Sequence, residues 1–191
     1  MTLRPEQVIE KFRQTGALLA GHFLLTSGLH SPVYLQCALV LQYPRTAKEF
    51  GQEIAGHFQG AEIQTVASPA IGGIVIGHEV ARALNARLIW TERENGKMVL
   101  RRGFSVDPGE KLLVVEDVVT TGGSTRETIE ALKNLGADIR GAASIIDRSS
   151  GAADVGVPRI ALATLDVPAV EPAVCEACRR GEQAIKPGSR K

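Results

Sequence analysis

With 191 residues, 44% of them apolar and 23% charged, the chain is long enough for one domain with a buried core. A formal net charge of +1 gives no global electrostatic case for binding nucleic acid or a membrane surface. No apolar run approaches a membrane-spanning length, the N-terminal Met-Thr-Leu-Arg-Pro-Glu-Gln lacks the layout of a signal peptide, and the three cysteines are an odd set unlike a secreted disulfide framework, so a cytoplasmic location is expected.

In chain order, residues 4–15 read as a short helix with Pro5 in its first turn and Val8, Ile9 and Phe12 on one face. Residues 22–41 carry Phe23-Leu24-Leu25 and Val33-Tyr34-Leu35, broken by Ser27-Gly28 and Ser31-Pro32, which predicts two short strands with a turn-rich connection. Pro44 opens a helix through about His57. From there the rhythm is strand, loop, helix. Ile63–Ala67 is a strand, Ser68-Pro69-Ala70-Ile71-Gly72-Gly73 a loop, and a helix runs to about Asn85. Arg87–Trp90 is the next strand. Leu112–Val115 is a continuously apolar strand, and Gly123–Leu135 a helix closed by Gly136. Ile139–Ile146 and Ile160–Leu165 add two more strands. Such alternation predicts an α/β fold with a mostly parallel sheet flanked by helices, its ligand beyond the carboxyl ends of the strands. Residues 91–109 are polar and long for a connector, which suggests a lid, with Met98-Val99-Leu100 able to return as the second strand of a hairpin. The 186–191 tail is expected to be loose.

The strongest chemical signal is Val115-Glu116-Asp117-Val118-Val119-Thr120-Thr121-Gly122-Gly123-Ser124-Thr125. An apolar strand delivers two adjacent carboxylates, and a run of small and hydroxylated residues then enters a helix. Backbone N–H groups at a helix N-terminus, with hydroxyls beside them, hold a phosphate dianion, and glycines allow close approach. Carboxylates would repel a phosphate but accept hydrogen bonds from vicinal hydroxyls, so the pattern reads as a cradle for a phosphorylated ribose. The plain alternative is a capped helix after a core strand, with Glu116 and Asp117 merely solvated. A triphosphatase loop is disfavoured, because the acidic pair precedes the glycines and no Gly-Lys-Ser/Thr ending follows.

This segment resembles the ribose-phosphate signature of type I phosphoribosyltransferases. The resemblance implies 5-phosphoribosyl pyrophosphate (PRPP) as substrate, with Mg²⁺ held mainly by substrate oxygens rather than by the protein. Glu116, Asp117, Val118, Val119, Thr120, Thr121, Gly122, Gly123 and Ser124 would then bind PRPP, and Ala70, Gly72 and Gly73 would form the pyrophosphate loop. Residues 21–37, with Phe23, Leu25, Ser27-Gly28, Ser31-Pro32 and Tyr34, and the strand end Ser144-Ile-Ile-Asp147-Arg148, are similar to orotate phosphoribosyltransferases. That family implies Arg148 and Thr120 on orotate, with Tyr34 as a stacking ring. A guanidinium suits the orotate carboxylate with paired donors. The resemblance covers most of residues 6–165. It implies one domain over 1–191, in which 1–42 and the C-terminal segment form a hood over the base and 43–168 form the PRPP-binding core. It also implies a homodimer whose flexible hairpin loop serves the neighbouring subunit's site. No nucleic-acid or membrane partner is expected.

The chain departs from this family's usual pattern at several positions. Thr26 stands where many members have lysine, Gly72 replaces the lysine of the pyrophosphate loop, and Leu35 replaces the second aromatic. Backbone at Gly72-Gly73 is left to bind the anion at that end. The 91–104 loop carries Arg93, Lys97, Arg101 and Arg102 but no histidine. Of these, Arg93 and Lys97 are assigned, with Asp117, to catalysis, since cations near the departing pyrophosphate lower the barrier. A solvated charged hairpin is the alternative. Cys175-Glu-Ala-Cys178 is half of a structural zinc site, whose second half a dimer partner could supply, or else two free thiols or a disulfide. His22 and His30 show no metal-ligand spacing, His57 and His78 read as ordinary helix residues, and Cys37 as a buried apolar side chain. Two rivals stand beside the orotate reading: a transferase for a purine, xanthine or uracil, and a PRPP-sensing regulator without catalysis.

Overall fold

The structure is a computed structural model that describes residues 3–25 and 28–186. Thr26, Ser27 and the 187–191 part of the tail, all of which figured in the sequence reading, lie outside the described residues.

The chain opens with α1 (Pro5–Gln14), whose Val8, Ile9 and Phe12 are buried as its periodicity requires. β1 (Leu18–Leu24) and β2 (His30–Leu35) pair antiparallel as a separate two-stranded ribbon. The ribbon differs from expectation in two ways. β1 begins at Leu18, because Leu18–Ala20 pairs with Val33–Leu35, and Pro32 lies inside β2 rather than ending it. A strand with a free edge tolerates proline's missing N–H. Cys37–Leu41 then turns into α2, burying Cys37, Val40 and Leu41.

α3 (Pro44–Gly56) starts at its proline as expected. The α/β core follows: β3 (Thr65–Pro69), α4 (Gly73–Leu84), β4 (Arg87–Glu94), β5 (Lys97–Leu100), β6 (Lys111–Val119), α5 (Gly123–Lys133), β7 (Asp138–Asp147) and β8 (Arg159–Thr164). A 3₁₀ turn (Pro172–Val174) and α6 (Glu176–Arg179) complete it. The six-stranded sheet runs β5-β4-β3-β6-β7-β8, parallel except for the β4–β5 pair. β3 and the first half of β6 are buried on both faces, which is why Leu112–Val115 reads as an unbroken apolar run. One apolar cluster joins α1, α3 and α4 to the sheet; a second packs α5 on its other face, with Ile129 and Leu132 against Ala67, Leu112 and Val114.

The long polar connector is an ordered hairpin over most of its length. Asn95 and Gly96 both take positive φ (49° and 81°), which fits the two-residue turn that matches the twist of a β-hairpin. Trp90 meets Phe104 edge-on at 4.7 Å, fixing the base of that arm. The C-terminal segment returns to the ribbon. His30 and Val170 exchange backbone hydrogen bonds, Ile185 N–H donates to the His22 carbonyl, and Leu24 N–H to the Ile185 carbonyl. No helix among the described residues is long and apolar enough to cross a membrane.

Candidate active site

β3, β6 and β7 end together at one edge of the sheet, so the turns that follow them face each other. At the end of β6 the chain passes through exposed Thr120 and Thr121 into α5. Gly122 is the N-cap, at φ +77°, and a Cβ there would lie 2.9 Å from Val155 Cγ1. Glycine is thus required twice over, by backbone angle and by space. The first intrahelical bond is Arg126 N–H to the Gly122 carbonyl (2.9 Å), so the N–H groups of Gly123, Ser124 and Thr125 have no intrahelical acceptor. That helix end, beside the hydroxyls of Thr120, Thr121 and Ser124, suits a phosphate.

β6 continues through Val119, so Glu116 and Asp117 lie within the strand and their side chains leave opposite faces. The sequence reading had them side by side at its end. Glu116 turns toward α5 and accepts a hydrogen bond from Thr125 Oγ1. Burial pushes its carboxyl up to about 7, against that hydrogen bond, and the Asp117 charge adds to the rise. Asp117 faces the other way and accepts from Val118 N–H at 2.9 Å and from the Cys37 thiol. Burial also raises Asp117, opposed by those donors.

The turn after β3 packs directly on Asp117. A Cβ on Gly72 would sit 2.7 Å from Asp117 Oδ2, and one on Gly73 2.9 Å from the Val115 carbonyl. Close approach of this turn to the strand therefore depends on the paired glycines. The Ala70–Ile71 peptide is cis. On the other side, Tyr34 comes from β2, half-buried, its ring 5.8 Å from that of Phe23. Burial raises its phenol, with the Asp117 and Cys37 charges acting in the same direction and Arg148 opposing them. Tyr34 thus feels the charges of both the acidic strand and Arg148. The Arg148 N–H donates to the Val119 carbonyl at 2.8 Å, which fixes its backbone beside the cradle. Its side-chain Nε is buried with no hydrogen-bond partner among the described residues. An unpaired buried guanidinium N–H is costly unless a ligand accepts from it.

The phosphoribosyl transferase domain family matches residues 41–157. The orotate phosphoribosyltransferase of Desulforamulus reducens is 53% identical over 185 residues, covering 97% of both chains. The chain belongs to the orotate phosphoribosyltransferase family. Among solved structures, the orotate phosphoribosyltransferase from Aeropyrum pernix superposes with TM-score 0.68 at 29% identity, over 83% of this chain and 93% of that one. An adenine phosphoribosyltransferase from Rhodothermus marinus gives 0.66 at 20% identity, over 84% and 99%. The fold is therefore shared across base specificities, and the base must be argued from Tyr34 and Arg148.

The family's basic loop corresponds to the β4–β5 hairpin. Arg93 and Lys97 are exposed on it. Arg93 pairs with Glu127 of α5 at 2.8 Å and donates to the Gly96 carbonyl, while Arg102 pairs with Glu92 and Arg101 with Glu94. Arg93 and Arg102 line a cavity of about 540 Å³ with Ala70 and Ile71, so these cations and the turn after β3 share one hollow. Lys97 is not part of that lining.

Sequence reading missed the device that holds Arg148. Asp147 is buried and accepts from Ser149 N–H (2.8 Å), Ser149 Oγ (2.6 Å), Gly151 N–H (2.9 Å) and Arg159 Nη2 (3.1 Å). Burial works to raise its carboxyl, but these donors hold it below the usual carboxylate range. The signal was present as Asp-Arg-Ser-Ser-Gly, an aspartate followed by turn residues able to donate back to it. His22 and His30 are a correction of another kind. They have no metal-ligand spacing in sequence, yet the ribbon puts their rings 4.7 Å apart and beside Cys175 and Cys178.

Proposed function

We propose that the chain transfers the 5-phosphoribosyl group of PRPP to orotate, giving orotidine 5′-monophosphate and pyrophosphate, a step of de novo pyrimidine synthesis. One observation carries the choice of base. Arg148 presents a buried Nε with no partner among the described residues, and it is near enough to Tyr34 for its charge to act on the phenol. A planar anionic ring fits there, its carboxylate on the guanidinium and its face on the phenol. Thr120, at the neighbouring turn, is the second candidate contact to orotate.

In this reading the α5 N-terminus, with Thr120–Ser124, takes the 5-phosphate, and Val118 and Val119 bring the chain to it. Glu116 and Asp117 accept from the ribose hydroxyls. Backbone at Ala70, Gly72 and Gly73 faces the pyrophosphate. The bond from C1′ to the pyrophosphate oxygen breaks, its electron pair leaving with pyrophosphate, as the orotate ring nitrogen forms the new bond to C1′. Orotate arrives as an anion, so no protein general base is needed, and the work is positioning and charge stabilisation. Arg93 and Lys97 would stabilise the departing charge; Arg93 must exchange its ion pair with Glu127 to do so.

Mg²⁺ is the cofactor of this proposal, and it would neutralise charge on the pyrophosphate when bound. The donor set fits a metal held by substrate, since the cradle offers only two carboxylates and they leave opposite faces of β6, so they do not converge on one ion. Residues 1–42 with the C-terminal segment would act as the hood and 43–168 as the PRPP-binding core of a single domain. A cytoplasmic homodimer whose hairpins reach the partner's site completes the reading.

The test is pyrophosphate release from PRPP and Mg²⁺ with orotate, uracil, xanthine, adenine, hypoxanthine and guanine in turn. Release with orotate alone is expected. Release only with another base would reassign the substrate, and PRPP binding without release would leave the regulator.

A further inference from the structure

We propose that His22, His30, Cys175 and Cys178 form a structural zinc site that clamps the C-terminal segment onto the β1–β2 ribbon. The ligand atoms of these four side chains all lie within 4.8 Å of one another. Cys175 Sγ is 3.4 Å from His22 Nε2, Cys178 Sγ is 3.2 Å from His30 Nδ1, and Cys178 Sγ is 3.7 Å from His22 Nε2. With Zn–N bonds near 2.0–2.1 Å and Zn–S bonds near 2.3 Å, a tetrahedral ion separates nitrogen and sulfur ligands by about 3.5 Å. The three sulfur–nitrogen distances straddle that value. The two ring nitrogens are closer, at 2.7 Å, so the histidines part by roughly 0.6 Å to admit the ion.

The surroundings orient these groups as ligands. His22 Nδ1 lies 3.0 Å from the Glu182 carbonyl, an acceptor that holds the proton on Nδ1 and leaves Nε2 as the donor atom for a metal. His22, His30 and Cys175 are buried, and these three line one side of a hollow of about 330 Å³ that gives an ion a way in. Two thiolates and two imidazoles in tetrahedral reach, with no carboxylate among them, select zinc over magnesium or calcium. Two free thiols or a Cys175–Cys178 disulfide would account for the cysteines but not for two buried histidines converging on them.

The site would supply what this part of the fold otherwise lacks. An isolated two-stranded ribbon is marginal, and α6 spans only Glu176–Arg179. The cross-link joins residues 145 to 156 positions apart along the chain. β2 also carries Tyr34, so the clamp would fix the strand bearing the proposed base ring; this last consequence rests on the functional reading, while the metal site does not.

The experiment is metal analysis of the full-length protein purified without chelator, followed by cobalt substitution. About one zinc per chain is expected, with a dissociation constant on the order of nanomolar or tighter. Cobalt in the chelator-stripped protein should give a thiolate charge-transfer band and the strong visible bands of a tetrahedral ion. The Cys175→Ser/Cys178→Ser variant should lose both metals, and His30→Gln should weaken cobalt binding at least tenfold. Chelation should lower the unfolding temperature of the wild type and leave that of the cysteine variant unchanged. Absence of zinc together with no tetrahedral cobalt spectrum, or a Cys175–Cys178 disulfide in freshly purified protein, would overturn the site without needing any variant to fold. Zinc bound to a protein that releases no pyrophosphate with orotate would sink the functional reading and leave the metal site standing.

Discussion

A single run, Val115–Thr125, supplies the proposed phosphate nest and both carboxylates at one end of the site, whereas the base end draws Tyr34 from β2 and Arg148 from the turn after β7. The first end is a strand, a glycine-capped turn and a helix N-terminus, contiguous in the chain and packed in the core. The second is assembled from segments more than a hundred residues apart, one of them on a two-stranded ribbon outside the main sheet. The difference teaches where robustness lies. Backbone N–H groups of such a turn persist through most side-chain changes. Base recognition depends on a few side chains and on whatever holds their supports in place.

The largest effect is expected where the base end is propped. Asp147→Ala removes the acceptor of four hydrogen bonds and strands the Arg159 cation, which should cost about 3 kcal/mol of stability, read by thermal or denaturant unfolding. Because burial is outweighed by donors that keep this carboxyl low, its contribution is present above the usual carboxylate range and lost as pH falls through the depressed folded value. The orotate KM should rise with it; an unchanged orotate KM in the folded variant would remove Asp147 from the support of Arg148.

Arg148→Ala should raise the orotate KM roughly 30- to 100-fold, the loss of charge-assisted hydrogen bonds to a carboxylate, while the PRPP KM stays nearly constant. Equal losses for both substrates would erase the distinction between the two ends. Asp117→Asn probes the other end. About a tenfold weakening of PRPP binding is expected, by titration calorimetry, with orotate little affected. Unchanged PRPP affinity would take Asp117 out of the ribose cradle.

The smallest effect is a pH dependence. Glu116 titrates near 7 when folded against 4.5 ordinarily, so the folded state holds an extra proton between those values. This group's contribution to folding stability is therefore full below about pH 4.5 and declines as pH rises through about 7. PRPP binding has the opposite sign, since the ribose hydroxyls need the ionised acceptor. Affinity should improve a few-fold as pH rises through about 7, and Glu116→Gln should flatten that part of the profile. A Gln variant with the same slope would assign the titration to another group.

The α/β order, the glycine-capped turn and the helix that follows could be read directly, because each depends on neighbours within a few residues. Alternation of apolar runs marks strands buried on both faces, and Gly122 occupies a backbone conformation that other residues resist. Residues 91–109 were harder. Their polarity suggested a lid, while Asn95-Gly96 set a hairpin that the cross-strand pairing completes. The Cys37–Leu41 helix was missed for the same kind of reason: its apolar residues fit either period until α3 and the sheet give them a surface to pack on.

The sequence by itself determined the strand–turn–helix unit proposed as the ribose-phosphate cradle, and the family resemblance, since both are carried by short contiguous motifs whose chemistry is local. Tertiary structure alone decided that Glu116 and Asp117 point to opposite faces, that Gly72 lies against Asp117, and that Asp147 ties Arg159 to the turn carrying Arg148. It also decided that two histidines from the ribbon meet two cysteines near the C-terminus. These are through-space relations between distant segments, and neither spacing nor composition encodes which distant side chains a fold will bring within bonding distance.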